Sequence, residues 1–231
     1  VASLLLDKAD LTDSDWQRFN NNGVRVIDNG CKSAVVLVEF ARRAIANGVD
    51  PSKLDMFAVP TSPATYELIR KVYELLGWNL ENIYFVEGLD NLDTLLLLEM
   101  ALEKKECLRD SIDDCPFHGN SDIAKKARKE ILGKSVSYPK QRKKDSDSEY
   151  DLIISNLKSQ IFDDSLENLF DKIVDEQDRV LAMGFWERIV EEIKKFDYAI
   201  SNPPYQDESN TAIYQKFAQN SFLITTHGIS M

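Results

Sequence analysis

Residues 196–206, with the sequence F-D-Y-A-I-S-N-P-P-Y-Q, decide the fold expected for this chain. The short apolar run within them follows a charged segment with helical periodicity and stops before two prolines, which is typical of a buried strand in a parallel sheet. The first proline disfavours the helical region for the residue before it, Asn202. We therefore expect Asn202 at the carboxyl end of a strand, the edge where open α/β sheets bind ligands.

The four residues that follow Ser201 can hold a planar amino group. The Asn202 carboxamide oxygen and the Pro203 carbonyl are two acceptors for its hydrogens, and Tyr205 offers a flat face on which a base rotated out of a duplex can stack. An amine held by two acceptors keeps its lone pair available and is the better nucleophile. The alternative interpretation is an ordinary proline turn after a strand.

The sequence N-P-P-Y resembles motif IV of the S-adenosylmethionine-dependent N6-adenine DNA methyltransferases. The resemblance implies that Asn202 and Pro203 hold the N6 amine of a flipped adenine and that Tyr205 stacks on the base. The predicted catalytic residues are Asn202, Pro203, Pro204 and Tyr205. Direct displacement of a methyl group requires no metal, and no metal site is predicted.

A second resemblance lies upstream, in V-I-D-N-G-C-K-S-A-V-V-L-V-E-F-A-R-R-A-I at residues 26–45. Residues 24–28 have the pattern of a strand and residues 34–46 that of a helix, so a strand, a tight turn and a helix are predicted. Such a turn supplies backbone N–H groups to a nucleotide, and the stretch resembles motif I of the same methyltransferases. The implied contacts with S-adenosylmethionine are Asp28, Gly30, Cys31, Lys32, Ser33, Ala34, Ser62 and Asp90.

The chain departs from the family at this turn and after the second strand. Family members keep a glycine where this chain has Ala34 and often another where it has Lys32, and a methyl group at Ala34 opposes a positive φ or a close approach. Ser62 and Pro63 replace the usual ribose-binding carboxylate. These departures favour an alternative function, a catalytically degenerate scaffold or DNA-contacting subunit. A third interpretation is an unrelated Rossmann-like binder of a small molecule.

The alternation of predicted strands and helices indicates a Rossmann-like α/β fold, and the two resemblances imply that it is a partial fold of the S-adenosylmethionine-dependent methyltransferase type with a helical insertion. Residues 54–59 and 83–86 are further predicted strands, so the strands present would have the family's order 3-2-1-4, and another strand would begin at residue 228. The resemblance implies that an acidic residue after the predicted strand at 83–86, Glu87 or Asp90, contacts the adenine of the cofactor. The alternative is that this residue caps the following helix.

The chain is predicted to contain three parts. Residues 1–102 carry motif I, residues 103–195 form a charged, mostly helical insertion, and residues 196–231 carry motif IV and the helix after it. Because the family's sheet has more strands, we expect an incomplete domain that is inactive alone. Its expected partners are the remainder of its parent chain or a restriction-modification subunit.

Composition restricts the class of protein. The 231 residues are 43% hydrophobic, with neither a signal pattern nor a long apolar run, so a cytoplasmic protein without a membrane segment is expected. The three cysteines form no disulfide framework. Cys107, Cys115 and His118 could form a zinc site, but no fourth ligand is evident and free thiols are the preferred interpretation.

The net charge of −11 argues against DNA binding by the whole surface, because phosphate contacts dominate the affinity of DNA-binding proteins. One basic segment is the exception. If DNA is the substrate, backbone contacts are predicted at Lys125, Lys126, Arg128, Lys129, Arg142, Lys143 and Lys144. The function predicted from the two resemblances is methylation of adenine N6 in DNA, within a restriction-modification or related defence protein.

Overall fold

The computed structural model describes residues 2, 6–7, 11–107, 164–202 and 214–230. Four strands form one sheet: β1 (Val24–Cys31), β2 (Leu54–Pro60), β3 (Phe196–Ile200) and β4 (Thr225–Ser230). Their order is β2-β1-β3-β4, and each neighbouring pair is parallel. The predicted α/β class with a parallel sheet is confirmed, and the arrangement agrees with Rossmann-like folds in general.

The connections between strands are helical where the structure describes them. The helices are α1 (Asp13–Asn22), α2 (Val35–Ala46), α3 (Pro63–Leu76), α4 (Asn91–Cys107), α5 (Glu176–Glu192) and α6 (Tyr214–Ile224). Residues 164–170 are also helical, and short 3-10 helices occupy Pro51–Lys53 and Leu80–Asn82. Gly77 ends α3 with a left-handed φ of 69°, the usual way for a glycine to stop a helix.

Strand β1 separates two layers of buried side chains. Val26 and Ile27 are both fully buried but belong to different clusters, because successive side chains of a strand point to opposite faces. Helices α1 to α3 cover the face of Val26, with Phe40 at the centre of an aromatic group. Helices α4 to α6 cover the face of Ile27, through Trp186 and Phe217 among others. The sheet is therefore buried on both faces, as parallel sheets require.

The prediction of a strand at residues 83–86 was wrong. Only Ile83 pairs with β2, through a single parallel bridge to Ala58, and the Tyr84 N–H donates to the Ala58 carbonyl at 2.8 Å. The chain then turns at Gly88, whose φ of 84° lies in the left-handed region. Tyr84 and Val86 are still buried against the sheet, so this run has the apolar composition of a strand without the ladder of hydrogen bonds. At the other edge, the strand predicted from residue 228 is β4, which starts three residues earlier.

The described part of the charged segment packs on the domain. Leu166, Leu169 and Trp186 are buried in the same cluster as the apolar side chains of α4. Lys172 Nζ forms an ion pair with Asp93 of α4, 2.7 Å from Oδ1. Residues 164–192 therefore complete the second helical layer, and the boundary predicted at residue 103 falls inside α4.

Candidate functional site at the carboxyl edge of the sheet

Strands β1 and β3 lie side by side and end at the same edge of the sheet. They are parallel, with Ile27 opposite Ala199. The residues after this pair, Asp28 and Asn29 on β1 and Ser201 after β3, consequently meet at the carboxyl edge. Asn202 follows at this edge and is half-buried.

A buried polar cluster, formed by Asp28, Asn29, Ser201 and Ser221, joins β1, the end of β3 and α6. Each of these residues is at most 4% exposed. The Asn29 N–H donates to Ser201 Oγ at 2.9 Å, and the Asn29 Nδ2 group donates to Ser221 Oγ at 2.7 Å. Ser221 Oγ in turn donates to the Phe217 carbonyl at 2.7 Å. These bonds fix the main chain immediately before Asn202.

The Ser201 hydroxyl has more acceptors around it than hydrogens to donate. It lies 2.9 Å from Asp28 Oδ1 and also contacts Asn29 Oδ1, but it carries one hydrogen and already accepts from the Asn29 N–H. A protonated Asp28 would donate to Ser201 and leave the serine hydrogen for Asn29. Burial raises the pKa of the Asp28 carboxyl to about 6, although hydrogen bonds from Ser201 and the Gly30 N–H oppose the shift. The hydrogen bonds of the buried polar cluster are therefore best satisfied with Asp28 protonated, which with a pKa of about 6 is the main form below that pH.

The turn between β1 and α2 has the backbone of a glycine turn but contains Ala34. Its φ of 57° and ψ of 7° make Ala34 the one residue other than glycine with a positive φ in the described ranges. The Ala34 N–H donates to Cys31 Sγ at 3.3 Å, and the side chain is buried at 1% exposure. Left-handed geometry costs a residue with a Cβ atom about 1–2 kcal/mol. The glycine expected from the family at this position therefore has a structural reason.

The other residues predicted at this turn divide into a buried and an accessible group. Gly30 and Cys31 are buried in the extended end of β1, where Cys31 is paired with Pro60 of β2. Burial and then the Asp28 charge raise the pKa of the Cys31 thiol well above its usual range. Lys32 is exposed and Ser33 is half-buried. Only the last two and the backbone are open to a ligand from solvent.

Ser62 and Asp90 both cap helices. Ser62 Oγ accepts a hydrogen bond from the Thr65 N–H at 3.3 Å at the start of α3. Asp90 Oδ1 accepts from the Asp93 N–H at 2.8 Å at the start of α4, which agrees with the cap interpretation of this residue. Each side chain thus has a local structural role that accounts for its position without a ligand.

Several predicted site residues lie outside the described residues. These are Pro203, Pro204 and Tyr205, the basic residues Lys125, Lys126, Arg128, Lys129, Arg142, Lys143 and Lys144, and the cysteine-cluster members Cys115 and His118. Within the described ranges, no group of three or more His, Cys, Asp or Glu side chains could hold a metal ion.

Sequence reasoning missed Asn29, Ser201 and Ser221. Asn29 and Ser201 directly precede or follow residues that were predicted, but a small polar residue next to a motif carries no signal of its own. Ser221 occurs within an apolar helical pattern, where its hydroxyl donates to the Phe217 carbonyl one turn earlier and accepts from Asn29, 192 residues away in the sequence. A serine or asparagine at a position whose helical neighbours are buried was the one available clue.

Comparisons with known proteins give no relative for this chain. No protein-family model, no curated protein and no solved structure matches it. In the parts of the chain that the structure describes, no helix is long and apolar enough to cross a membrane.

Proposed function

We propose that this chain carries the methyl-transfer site of an S-adenosylmethionine-dependent methyltransferase that acts on adenine N6 in DNA, as part of a restriction-modification or related defence protein. The observation that supports the proposal is the pairing of β1 with β3, which brings the turn at residues 28–34 and Asn202 to one edge of the sheet. The two motif resemblances lie far apart in the sequence. An accidental pair of matches would not require their strands to be neighbours.

The backbone of the β1–α2 turn suits a nucleotide cofactor better than its side chains do. Ala34 adopts the left-handed conformation typical of such turns, and the N-terminus of α2 follows it directly with N–H groups that need partners. Asp28, in contrast, is held within the buried polar cluster. We therefore assign cofactor contacts to the backbone of residues 32–34 and to the side chains of Lys32 and Ser33. The cofactor, when bound, would supply an electrophilic methyl group.

Asn202 would act by positioning the amine. Its carboxamide oxygen and the Pro203 carbonyl would accept the two N6 hydrogens, which leaves the nitrogen lone pair free to attack. Ser201 is completely buried and hydrogen-bonded to β1. The main chain that carries Asn202 is therefore held in place on its N-terminal side. Fixed geometry of this kind provides a large part of the rate in reactions between two bound groups.

DNA contacts would come from the basic residues between Lys125 and Lys144. With a net charge of −11, the rest of this surface repels phosphate, so a restriction-modification partner subunit or a further part of the protein would have to add basic contacts. Binding should accordingly weaken steeply with salt.

A degenerate methyltransferase-like scaffold or DNA-contacting subunit is the second candidate function. It is favoured by Ala34, whose methyl group is buried at a turn with glycine geometry, and by the withdrawal of Asp28 from solvent. Ser62, which caps α3, supplies no charge for a ribose. In this alternative the fold is kept for assembly or for DNA contact.

Calorimetric titration of S-adenosylmethionine into the chain separates the two candidates. The enzyme proposal predicts saturable binding to the natural chain or to Ala34→Gly, in which the turn loses its methyl group. Absence of binding to both proteins would exclude the enzyme and leave the scaffold.

A methylation assay then tests Asn202. The chain is expected to be inactive alone, so the assay is run with the remainder of its parent protein or its partner subunit present. Transfer of tritium from labelled cofactor to adenine in unmethylated genomic DNA should then be lost in Asn202→Ala, while cofactor affinity changes by less than about twofold because Asn202 holds the amine and not the cofactor. A control variant is Asn21→Ala, an exposed asparagine at the end of α1, which should keep both properties. Loss of cofactor binding in Asn202→Ala would contradict the assigned role.

A further inference from the structure

A groove between α4 and α6 is lined by none of the described residues assigned to the proposed methyl-transfer site. It is an open groove with a volume of about 620 Å³, within the range of small-molecule sites. Leu96, Phe222 and Leu223 line it and are 42%, 73% and 50% exposed. Three large apolar side chains exposed beside one cavity form a surface from which a ligand would release water.

Asn220 lies in this groove with a buried oxygen that has no hydrogen-bond partner in the described structure. The residue is 6% exposed, and its Nδ2 group donates to the Leu95 carbonyl and to Glu99 Oε2, both at 3.2 Å. These two acceptors determine which end of the amide is nitrogen, since the reverse orientation would place oxygen against oxygen. Asn220 Oδ1 is therefore a desolvated acceptor that lacks a donor.

Glu99 adds a carboxylate to the same groove. Burial raises the pKa of Glu99, and the hydrogen bond from Asn220 opposes the shift. No described cation lies within ion-pair distance of Glu99, whereas Asp93, which also lines the groove, is paired with Lys172 at 2.7 Å. The Glu99 carboxylate, which has no ion-pair partner among the described residues, is thus next to the side chain whose oxygen is unpaired, Asn220.

We propose that this groove binds a small amphiphilic amine. An ammonium group has three donors and a positive charge. It can donate to the Glu99 carboxylate and, once the Asn220 side chain turns its buried Oδ1 towards the groove, to that oxygen as well. A hydroxyl has one hydrogen and can satisfy only one of the two acceptors. The apolar body of the ligand packs on Leu96, Phe222 and Leu223. The described lining of the groove shares no residue with the site proposed for methyl transfer.

Three indole probes of similar size test the proposal by calorimetry on the whole chain. Tryptamine carries an ammonium group, tryptophol a hydroxyl and indole-3-propionate a carboxylate. We expect tryptamine to bind at least tenfold more tightly than tryptophol, and indole-3-propionate not to bind detectably. Equal affinity for tryptamine and tryptophol would overturn the proposal, because the groove would then recognise only the apolar body.

Variants locate the site. Glu99→Gln and Asn220→Leu should each weaken tryptamine at least tenfold and leave tryptophol unchanged, since each removes one of the two amine acceptors. The control is Glu187→Gln, which removes an exposed carboxylate on α5 and should change neither affinity. Unchanged tryptamine binding in Glu99→Gln, or self-association through the groove that tryptamine does not compete with, would overturn the assignment. Circular dichroism of each variant verifies its fold.

Discussion

Two neighbouring residues of α6, Asn220 and Ser221, are both buried but differ in whether their polar atoms have hydrogen-bond partners. Ser221 is completely buried and both donates and accepts hydrogen bonds within the buried polar cluster. Asn220, one position earlier, is nearly as buried but leaves Oδ1 without a partner in the described structure. Burial of a polar group alone therefore does not distinguish a structural role from a binding role. The number of satisfied donors and acceptors does, because native structures rarely leave a buried polar atom unpaired without a reason.

The largest effect is expected from Asn29→Leu. This change removes the donor to Ser221 and an acceptor contact of Ser201, and it leaves buried hydroxyls with fewer partners. We expect the free energy of unfolding to fall by about 3–4 kcal/mol, measured by urea denaturation. Asn21→Leu, at an exposed position, is the control and should change it by less than about 0.5 kcal/mol. A small effect of Asn29→Leu would mean that the buried polar cluster does not stabilise the sheet edge.

The stability of the chain should depend on pH through Asp28. The Asp28 pKa is about 6 in the folded chain against an ordinary value of 3.8, so between these pH values the folded chain keeps a proton that the unfolded chain has lost. The contribution of this group to the free energy of unfolding therefore falls by roughly 3 kcal/mol as pH rises through that window. Asp28→Asn keeps a donor for Ser201 and does not titrate. Its stability relative to the natural chain should therefore increase from pH 4 to pH 7.

Glu39→Gln is a control for this pH series, because the contribution of Glu39 to stability should change with pH in the opposite direction. Hydrogen bonds from Arg42 and then Arg43 lower the pKa of Glu39 to about 2. Its contribution is therefore present above about pH 4.5 and is lost as pH falls towards 2, the opposite direction from Asp28. A stability difference between Asp28→Asn and the natural chain that does not change between pH 4 and pH 7 would contradict a protonated Asp28.

Ala34, which directly precedes α2, and Ala44, which lies inside α2, together test the turn. At Ala34, glycine relieves about 1–2 kcal/mol of left-handed strain but loses a buried methyl group, about 0.8 kcal/mol, and gains freedom in the unfolded chain. We expect Ala34→Gly to change stability by less than about 1 kcal/mol. Ala44 is equally buried inside the helix, and Ala44→Gly should destabilise by about 2 kcal/mol. Equal losses in the two variants, measured by thermal unfolding, would show that φ at Ala34 carries no strain.

The smallest effect is expected from Asn220→Leu. The same substitution that is costly at Asn29 should here change stability by less than about 1 kcal/mol, because it also removes the unpaired Oδ1. The Leu95 carbonyl lies within α4 and keeps its helical bond. Chemical denaturation of Asn29→Leu and Asn220→Leu under the same conditions compares a satisfied buried amide, the donor to Ser221, with one that has an unpaired oxygen. A loss of more than about 2 kcal/mol at Asn220 would mean that its oxygen has a partner that stabilises the fold.

The sequence predicted the elements whose signals are local. The β1–α2 turn, β2 with α3, and Asn202 at the end of β3 all follow from runs of apolar residues with prolines or glycines at their ends. The strand at residues 83–86 was wrong because burial of Tyr84 and Val86 gives the same composition as strand pairing. The buried polar cluster and the groove could not be predicted, since both depend on α6 packing against residues more than a hundred positions away.

The hydrogen bond between Asn29 and Ser201 can form only late in the synthesis of the chain. Their 172-residue separation means that a ribosome adding about 5–20 residues per second makes Ser201 roughly 9–34 s after Asn29. During this interval β1 can pair with β2, but its other edge has no neighbour and Asp28 and Asn29 have no partners from β3 or α6. A nascent chain in this state exposes a bare strand edge. We expect it to depend on chaperones until β3 emerges.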